Sequence, residues 1–219
     1  ERILNLNING DMIDLSANKV ETKKKERVYY LKRENYSINT DEVIFAGAVR
    51  VNDFKAGIEK QGSTLSVNSR ASFMEHELNY SREKSDNMDV NIISSSDITH
   101  FVNNTHPAKK LLSDGEFKMT SIRDLNTQVA DVKINLNDFV LINTPASLKL
   151  LSLPSISGLV SIAEGEEGIR FGYGEINYIE TENNFNEIEA FAVSDSLGLI
   201  MDGKIDRKEK IIDMKGEIS

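Results

Sequence analysis

The chain of 219 residues carries a net charge of -9 and no cysteine. An acidic balance with no basic stripe excludes nucleic acid as a partner and docking on anionic lipid by charge alone. The absence of thiols excludes disulfides, thiolate metal sites and thiol nucleophiles.

In chain order, period-two alternation of apolar and polar residues dominates, which is the pattern of strands with one buried and one wet face. The pattern predicts strands over 2–8, 12–16, 27–32, 42–51, 55–60, 64–73, 75–81 and 88–93. The clearest is Leu65, Val67, Ala71 and Phe73 against Thr64, Ser66, Asn68, Arg70 and Ser72. A short helix is expected near 96–104, where Asp97 can cap Ile98, Phe101 and Val102 before His106-Pro107 ends it. Strands follow over 116–122 and 128–136. A second helical insert is predicted near 145–164: Thr144 as N-cap, Pro145 at the first helical position, Pro154 dividing it, Ser155 capping the second half and Gly165 ending it. Four more strands are predicted over 169–181, 184–193, 197–205 and 210–218. Turn chemistry lies between these runs at Asn9-Gly10-Asp11, Gln61-Gly62, Glu182-Asn183-Asn184, Ser194-Asp195-Ser196 and Asp206-Arg207-Lys208. Such spacing reads as consecutive hairpins, a meander, without crossovers.

The chain holds no run approaching the roughly 18 apolar residues of a membrane span, and no basic start leading into an apolar core. It begins at Glu1 and ends inside a predicted strand, so it reads as a piece of a longer protein whose anchor or export signal lies upstream.

No catalytic constellation emerges. The histidines are His76, His100 and His106, and the spacing of the last two belongs to no zinc motif. Carboxylates such as Glu180 and Glu182, or Glu187 and Glu189, alternate with apolar residues, as a solvated strand face requires. The segment Glu164-Gly165-Glu166-Glu167-Gly168 lacks the alternating ligands of a calcium loop. Glycines 165, 168, 172 and 174 run from helix to strand, the reverse of a phosphate cradle, in which glycines lead into a helix N-terminus. No serine stands in a Gly-x-Ser-x-Gly context. The basic cluster Lys23-Lys24-Lys25 with Arg27 is bracketed by Glu21 and Glu26 and reads as a solvated turn or sheet edge.

What remains is apolar surface on one side of a long sheet. Two readings stay open on pattern alone: a β-sandwich whose sheets cover each other, or an incompletely closed sheet whose apolar side holds acyl chains. A glycan-binding domain would need aromatic platforms, for which the six tyrosines, including Tyr29-Tyr30, are the available residues.

From about residue 114 onward the order of features resembles the C-terminal region of the AsmA-like proteins, periplasmic members of the bridge-like lipid-transfer group. The segments that carry it are Gly115-Glu116-Phe117-Lys118-Met119, Leu136-Asn137-Asp138-Phe139-Val140-Leu141, Pro145, Leu150-Leu151-Ser152-Leu153, Ser157-Gly158-Leu159 and Gly165. They continue through Gly168-Ile169-Arg170-Phe171, Leu197-Gly198-Leu199, Gly203-Lys204-Ile205-Asp206 and Ile212-Asp213-Met214-Lys215-Gly216-Glu217-Ile218. Residues 41–113 match more weakly, and 1–40 match nothing named.

The resemblance implies a mainly β fold: a twisted antiparallel meander forming an open groove-like sheet or partial barrel, with two short helical inserts. Residues 1–40 would end a preceding β-rich segment, and 41–219 would be the AsmA-like C-terminal domain. It implies a non-enzymatic role without cofactor or metal, in the periplasm, as part of a protein anchored in the inner membrane through segments outside this chain. The partners implied are phospholipid acyl chains moving between inner and outer membrane, and other envelope proteins. Groove-wall candidates are the inward-alternating Ala130, Val132, Ile134, Leu197, Leu199, Met201, Ile212 and Met214. Leu148, Leu151, Leu159 and Ile162 are candidates for capping the groove end. The alternative is a structural or docking β-sandwich module of an envelope protein.

Overall fold

The computed structural model describes residues 2–16, 32–45, 49–99, 112–142, 168–182, 184–195, 197–206 and 208–219. Within them lie thirteen strands: β1 (Ile3–Asp14), β2 (Arg33–Ile44), β3 (Arg50–Gln61), β4 (Thr64–Phe73), β5 (His76–Lys84), β6 (Met88–Ser95), β7 (Leu112–Ser113), β8 (Glu116–Asp124), β9 (Ala130–Ile142), β10 (Gly168–Glu180), β11 (Asn184–Val193), β12 (Gly198–Asp206) and β13 (Ile211–Ile218). They form one open sheet in the order β1-β2-β3-β4-β5-β6-β8-β9-β10-β11-β12-β13, with β7 beside β8 on β9. The described strand order has two ends, β1 and β13, so it does not close into a barrel. The chain divides into two compact units, Glu1–Asn91 and Ile92–Ser219.

In the first unit β2 to β5 are antiparallel neighbours, but β1 runs parallel to β2, from Ile3 opposite Arg33 to Asp14 opposite Ile44. This departs from the expected meander of hairpins. The turn expected at Asn9-Gly10-Asp11 lies inside β1, because the ladder to β2 holds one register on both sides of it, and Gly10 itself pairs with Thr40. The strand expected over 27–32 lies, except for Lys32, outside the described residues.

The apolar run Val43-Ile44-Phe45-Ala46-Gly47-Ala48-Val49 was expected within one strand over 42–51. Its described ends belong to two strands: β2 ends at Ile44, β3 begins at Arg50, and Phe45 N–H donates to the Val49 carbonyl at 2.8 Å. Val43 and Val51 are cross-strand partners and are both buried, so an apolar run can mark a chain reversal as well as a strand.

Of the expected helices, residues 98–99 alone have helical geometry among those described, with Thr99 N–H donating to Asp97 Oδ1 at 2.7 Å. The remainder of the 96–104 insert, and all of the 145–164 insert, lie outside the described residues.

In the second unit β8 to β13 are antiparallel neighbours throughout. Here the alternation places the strands well; β11 has the expected bounds, 184–193. A core of Ile98, Phe117, Leu136, Phe139, Ile169, Phe171 and Leu197 lies on one face, with the Phe139 and Phe171 rings stacked at 5.5 Å. The first unit has a smaller core of Val43, Val51 and Phe73.

Both units share a device that simple alternation does not predict. In β9 the apolar side chains fall at even positions up to Leu136; Asp138 then takes a left-handed conformation (φ 50°), and Phe139 and Leu141 continue the same face at odd positions. In β3 the same happens at Asp53 (φ 52°): Ile58, Ala56 and Phe54 lie on one side of it in sequence, Val51 on the other, and all four line one recess. A single left-handed residue shifts the side-chain phase by one, as in a β-bulge. Asp tolerates this conformation better than most residues.

Candidate functional site: an apolar recess in each unit

Directly opposed residues of antiparallel strands point to the same face, so register defines the surface of the second unit. One row runs Met119, Ile134, Ile176, Ala190, Met201 and Gly216; the next runs Phe117, Leu136, Gly174, Ala192, Leu199 and Ile218. In the second row large apolar side chains on β8, β9, β12 and β13 flank Gly174 on β10 and Ala192 on β11, and in the first Ala190 stands between Ile176 and Met201. The result is a recess of about 390 Å³, walled by Leu136, Phe139, Phe171, Leu199, Met201 and Ile218. Gly174 is required here, since a Cβ at that position would stand 2.9 Å from the Phe139 ring.

The opposite face of the same strands is polar. Glu175 accepts from Lys133 Nζ at 2.8 Å, Asn177 Nδ2 at 2.8 Å, Tyr173 Oη at 2.7 Å and Asn135 Nδ2 at 3.1 Å. These donors, Lys133 first, hold its carboxyl down to about 2. By register this face also carries the exposed apolar side chains of Phe191, Val193 and Ile200.

The first unit has its own recess, of about 570 Å³. Its centre is the row Ile8, Ile38, Ala56, Ser69 and Tyr80, with Ile58, Val67 and Leu78 beside it. Along the strands this apolar patch gives way to a charged band. Arg82 donates to Asp89 through Nε at 2.8 Å and Nη2 at 2.5 Å, and Asn91 Nδ2 donates to the same carboxylate at 3.1 Å. Tyr80 Oη donates to Asn91 Oδ1 at 2.9 Å. The Arg82 guanidinium holds the Asp89 carboxyl below its usual range, while burial pushes the Tyr80 phenol up.

The sequence-predicted wall residues divide into groups. Leu199 and Met201 line the second recess. Ala130, Val132 and Ile134 are on the same face by register, but Ala130 is fully buried, Val132 nearly so, and Ile134 packs against the core; none of the three lines the recess. Leu197 belongs to the buried core. Met214 pairs with Gly203 and lies on this face outside the recess; Ile212 pairs through its backbone with Ile205, and its side chain is not among those described. The cap candidates Leu148, Leu151, Leu159 and Ile162 lie outside the described residues.

Pattern reading missed Phe139 and Phe171, Gly174, Ala190 and Ala192, and the whole recess of the first unit. A change of phase beyond Leu136 was the available signal for Phe139. The small residues of β10 and β11 carried none, because Gly and Ala mark depth only when their cross-strand neighbours are known.

Other chemistry does not assemble. Among the described residues no group of three or more His, Asp or Glu can hold a metal ion, and Glu180 is engaged by Arg123 at 2.9 Å. No described helix is long and apolar enough to cross a membrane. Comparison with protein-family models, with curated proteins and with solved structures finds no match to this chain.

Proposed function

We propose that this chain is a segment of a periplasmic AsmA-like protein, anchored in the inner membrane outside this segment, that binds or conducts phospholipid acyl chains between the inner and outer membranes. The observation that carries this reading is the pair of apolar recesses, one per unit, each on the apolar face of an open sheet. A hydrocarbon needs no specific polar contact to be held there: each CH₂ withdrawn from water contributes about 0.8 kcal/mol. The role is non-enzymatic. The two short helical inserts near 96–104 and 145–164, with Leu148, Leu151, Leu159 and Ile162 as a cap on the groove end, belong to the same proposal.

A photo-crosslinking residue at position 199, introduced in vivo in the protein that carries this segment and followed by mass spectrometry, tests it. Position 132 is a poor choice, being only 4% exposed. Phospholipid adducts at 199 are expected; adducts to protein alone, or none, would remove the lipid reading.

A second reading rests on the edges of β1 and β13, the two ends of the strand order among the described residues. The strand β1 also exposes Ile3, Leu6 and Met12. Such an edge suits a docking module that recruits another envelope protein by strand addition. Crosslinks from position 6 to a protein partner, with none to lipid from 199, would favour it.

A further inference from the structure

The charged band beside the first recess is not electrically balanced. By register, Tyr36, Ile58, Val67 and Arg82 form one row, and Glu34, Lys60, Leu65 and Lys84 form the next, all on the face that carries the recess. Ile58 and Val67 line the recess itself, so the band begins where the apolar lining ends. Glu34 is engaged twice, accepting from Tyr36 Oη at 2.5 Å and from Lys60 Nζ at 3.3 Å. Asp89 is engaged by Arg82 and Asn91. Among the described residues Lys84 is left with no carboxylate in ion-pair range, although it is half-buried and near enough to Asp89 to act on it electrostatically. Among the described residues Lys60, Arg82 and Lys84 therefore share this band with Glu34 and Asp89, a local positive excess in a chain of net charge -9.

A half-buried lysine one row beyond an apolar recess, beside carboxylates that are already occupied, is complementary to an amphiphile whose alkyl part ends in an anion. We propose that the recess of the first unit takes an anionic phospholipid in preference to a zwitterionic one, with Lys84 as the contact to its phosphate. This rests on the acyl-chain reading above and adds headgroup selection to it. The zwitterion is the poorer ligand because its ammonium or choline group would be brought up to Lys84 together with its phosphate.

The test compares binding of short-chain phosphatidylglycerol and phosphatidylcholine, with identical chains and as monomers in solution, to the wild-type chain and three variants. Lys84→Gln removes the ammonium, Lys84→Arg keeps a cation, and Lys55→Gln makes the same charge change on the opposite face, where Lys55 pairs with Asn39 and Arg70. The expected result is tighter binding of phosphatidylglycerol by wild type and a loss of roughly five-fold in Lys84→Gln for that lipid alone. Lys84→Arg should retain the preference, and Lys55→Gln should leave it unchanged. Equal binding of both lipids, unaltered by Lys84→Gln, would overturn headgroup selection and leave the acyl-chain reading standing. Equal losses in Lys84→Gln and Lys55→Gln would reduce the preference to net charge and overturn it too. Failure of wild type to bind either lipid would overturn both inferences.

Discussion

The two units place an apolar recess on one face of a sheet by different means. In the second, the recess abuts a core of seven buried residues and is deepened by small side chains on its central strands. In the first, the described core cluster is Val43, Val51 and Phe73, and the larger recess is bordered by a charged band. Among the described residues the buried core cluster is therefore the larger in the second unit. The comparison teaches that an apolar face need not imply an equally buried core, and it makes the units separable by mutation.

The largest expected effect is in the second core. Phe171 is fully buried and stacked on Phe139, so Phe171→Ala should cost about 3–5 kcal/mol, read as a lower urea midpoint of the second unit. The equivalent cut in the first unit, Val51→Ala, removes far less surface and should cost about 2 kcal/mol. Equal losses would mean that the two cores are not different in kind.

Next in size is the phase shift common to both units. Asp53 sits in the left-handed region, which a β-branched side chain tolerates poorly, so Asp53→Ile should destabilise the first unit by about 1–2 kcal/mol. Asp53→Gly should cost much less, since Gly enters that region freely. If Ile and Gly behave alike in urea unfolding, the left-handed turn is not what holds the phase.

Much of the second unit was legible in the sequence because hairpin turns there coincide with breaks in alternation, as at Ser194-Asp195 and Gln61-Gly62 in the first. The failures share one cause. Asn9-Gly10-Asp11 and Asp138 interrupt alternation without reversing the chain, and Val43 to Val49 reverses it without interrupting hydrophobicity. Local sequence does not distinguish a phase shift from a turn; the partner strand decides. The candidate site was legible on β12, where Leu199 and Met201 follow strict alternation. It was hidden on β10 and β11, where the recess is made by what Gly174, Ala190 and Ala192 lack.

The smallest effect concerns the polar face of the second unit. Because Glu175 keeps its charge down to about pH 2 when folded, whereas an unfolded glutamate protonates near 4.5, its contribution is fully present above that range. It is lost as pH falls from about 4.5 to 2, since the unfolded state then takes up the proton first. Thermal unfolding of Glu175→Gln should show a weaker loss of stability across that window than wild type, with no effect on the first unit. An identical acid profile in both proteins would show that the Lys133–Glu175 cluster does not couple to folding.

The central claim is that the apolar face of each unit, and not the apolar side chains of the polar face, meets hydrocarbon. Methyl NMR of the chain titrated with phosphatidylcholine spin-labelled on its acyl chain tests this directly. The account predicts early broadening of Leu199 in the second unit and Ile58 in the first, with Ile122, an exposed isoleucine paired with Asp131 on the polar face, unaffected at the same ratio. Equal broadening of all three, or of Ile122 first, would contradict it.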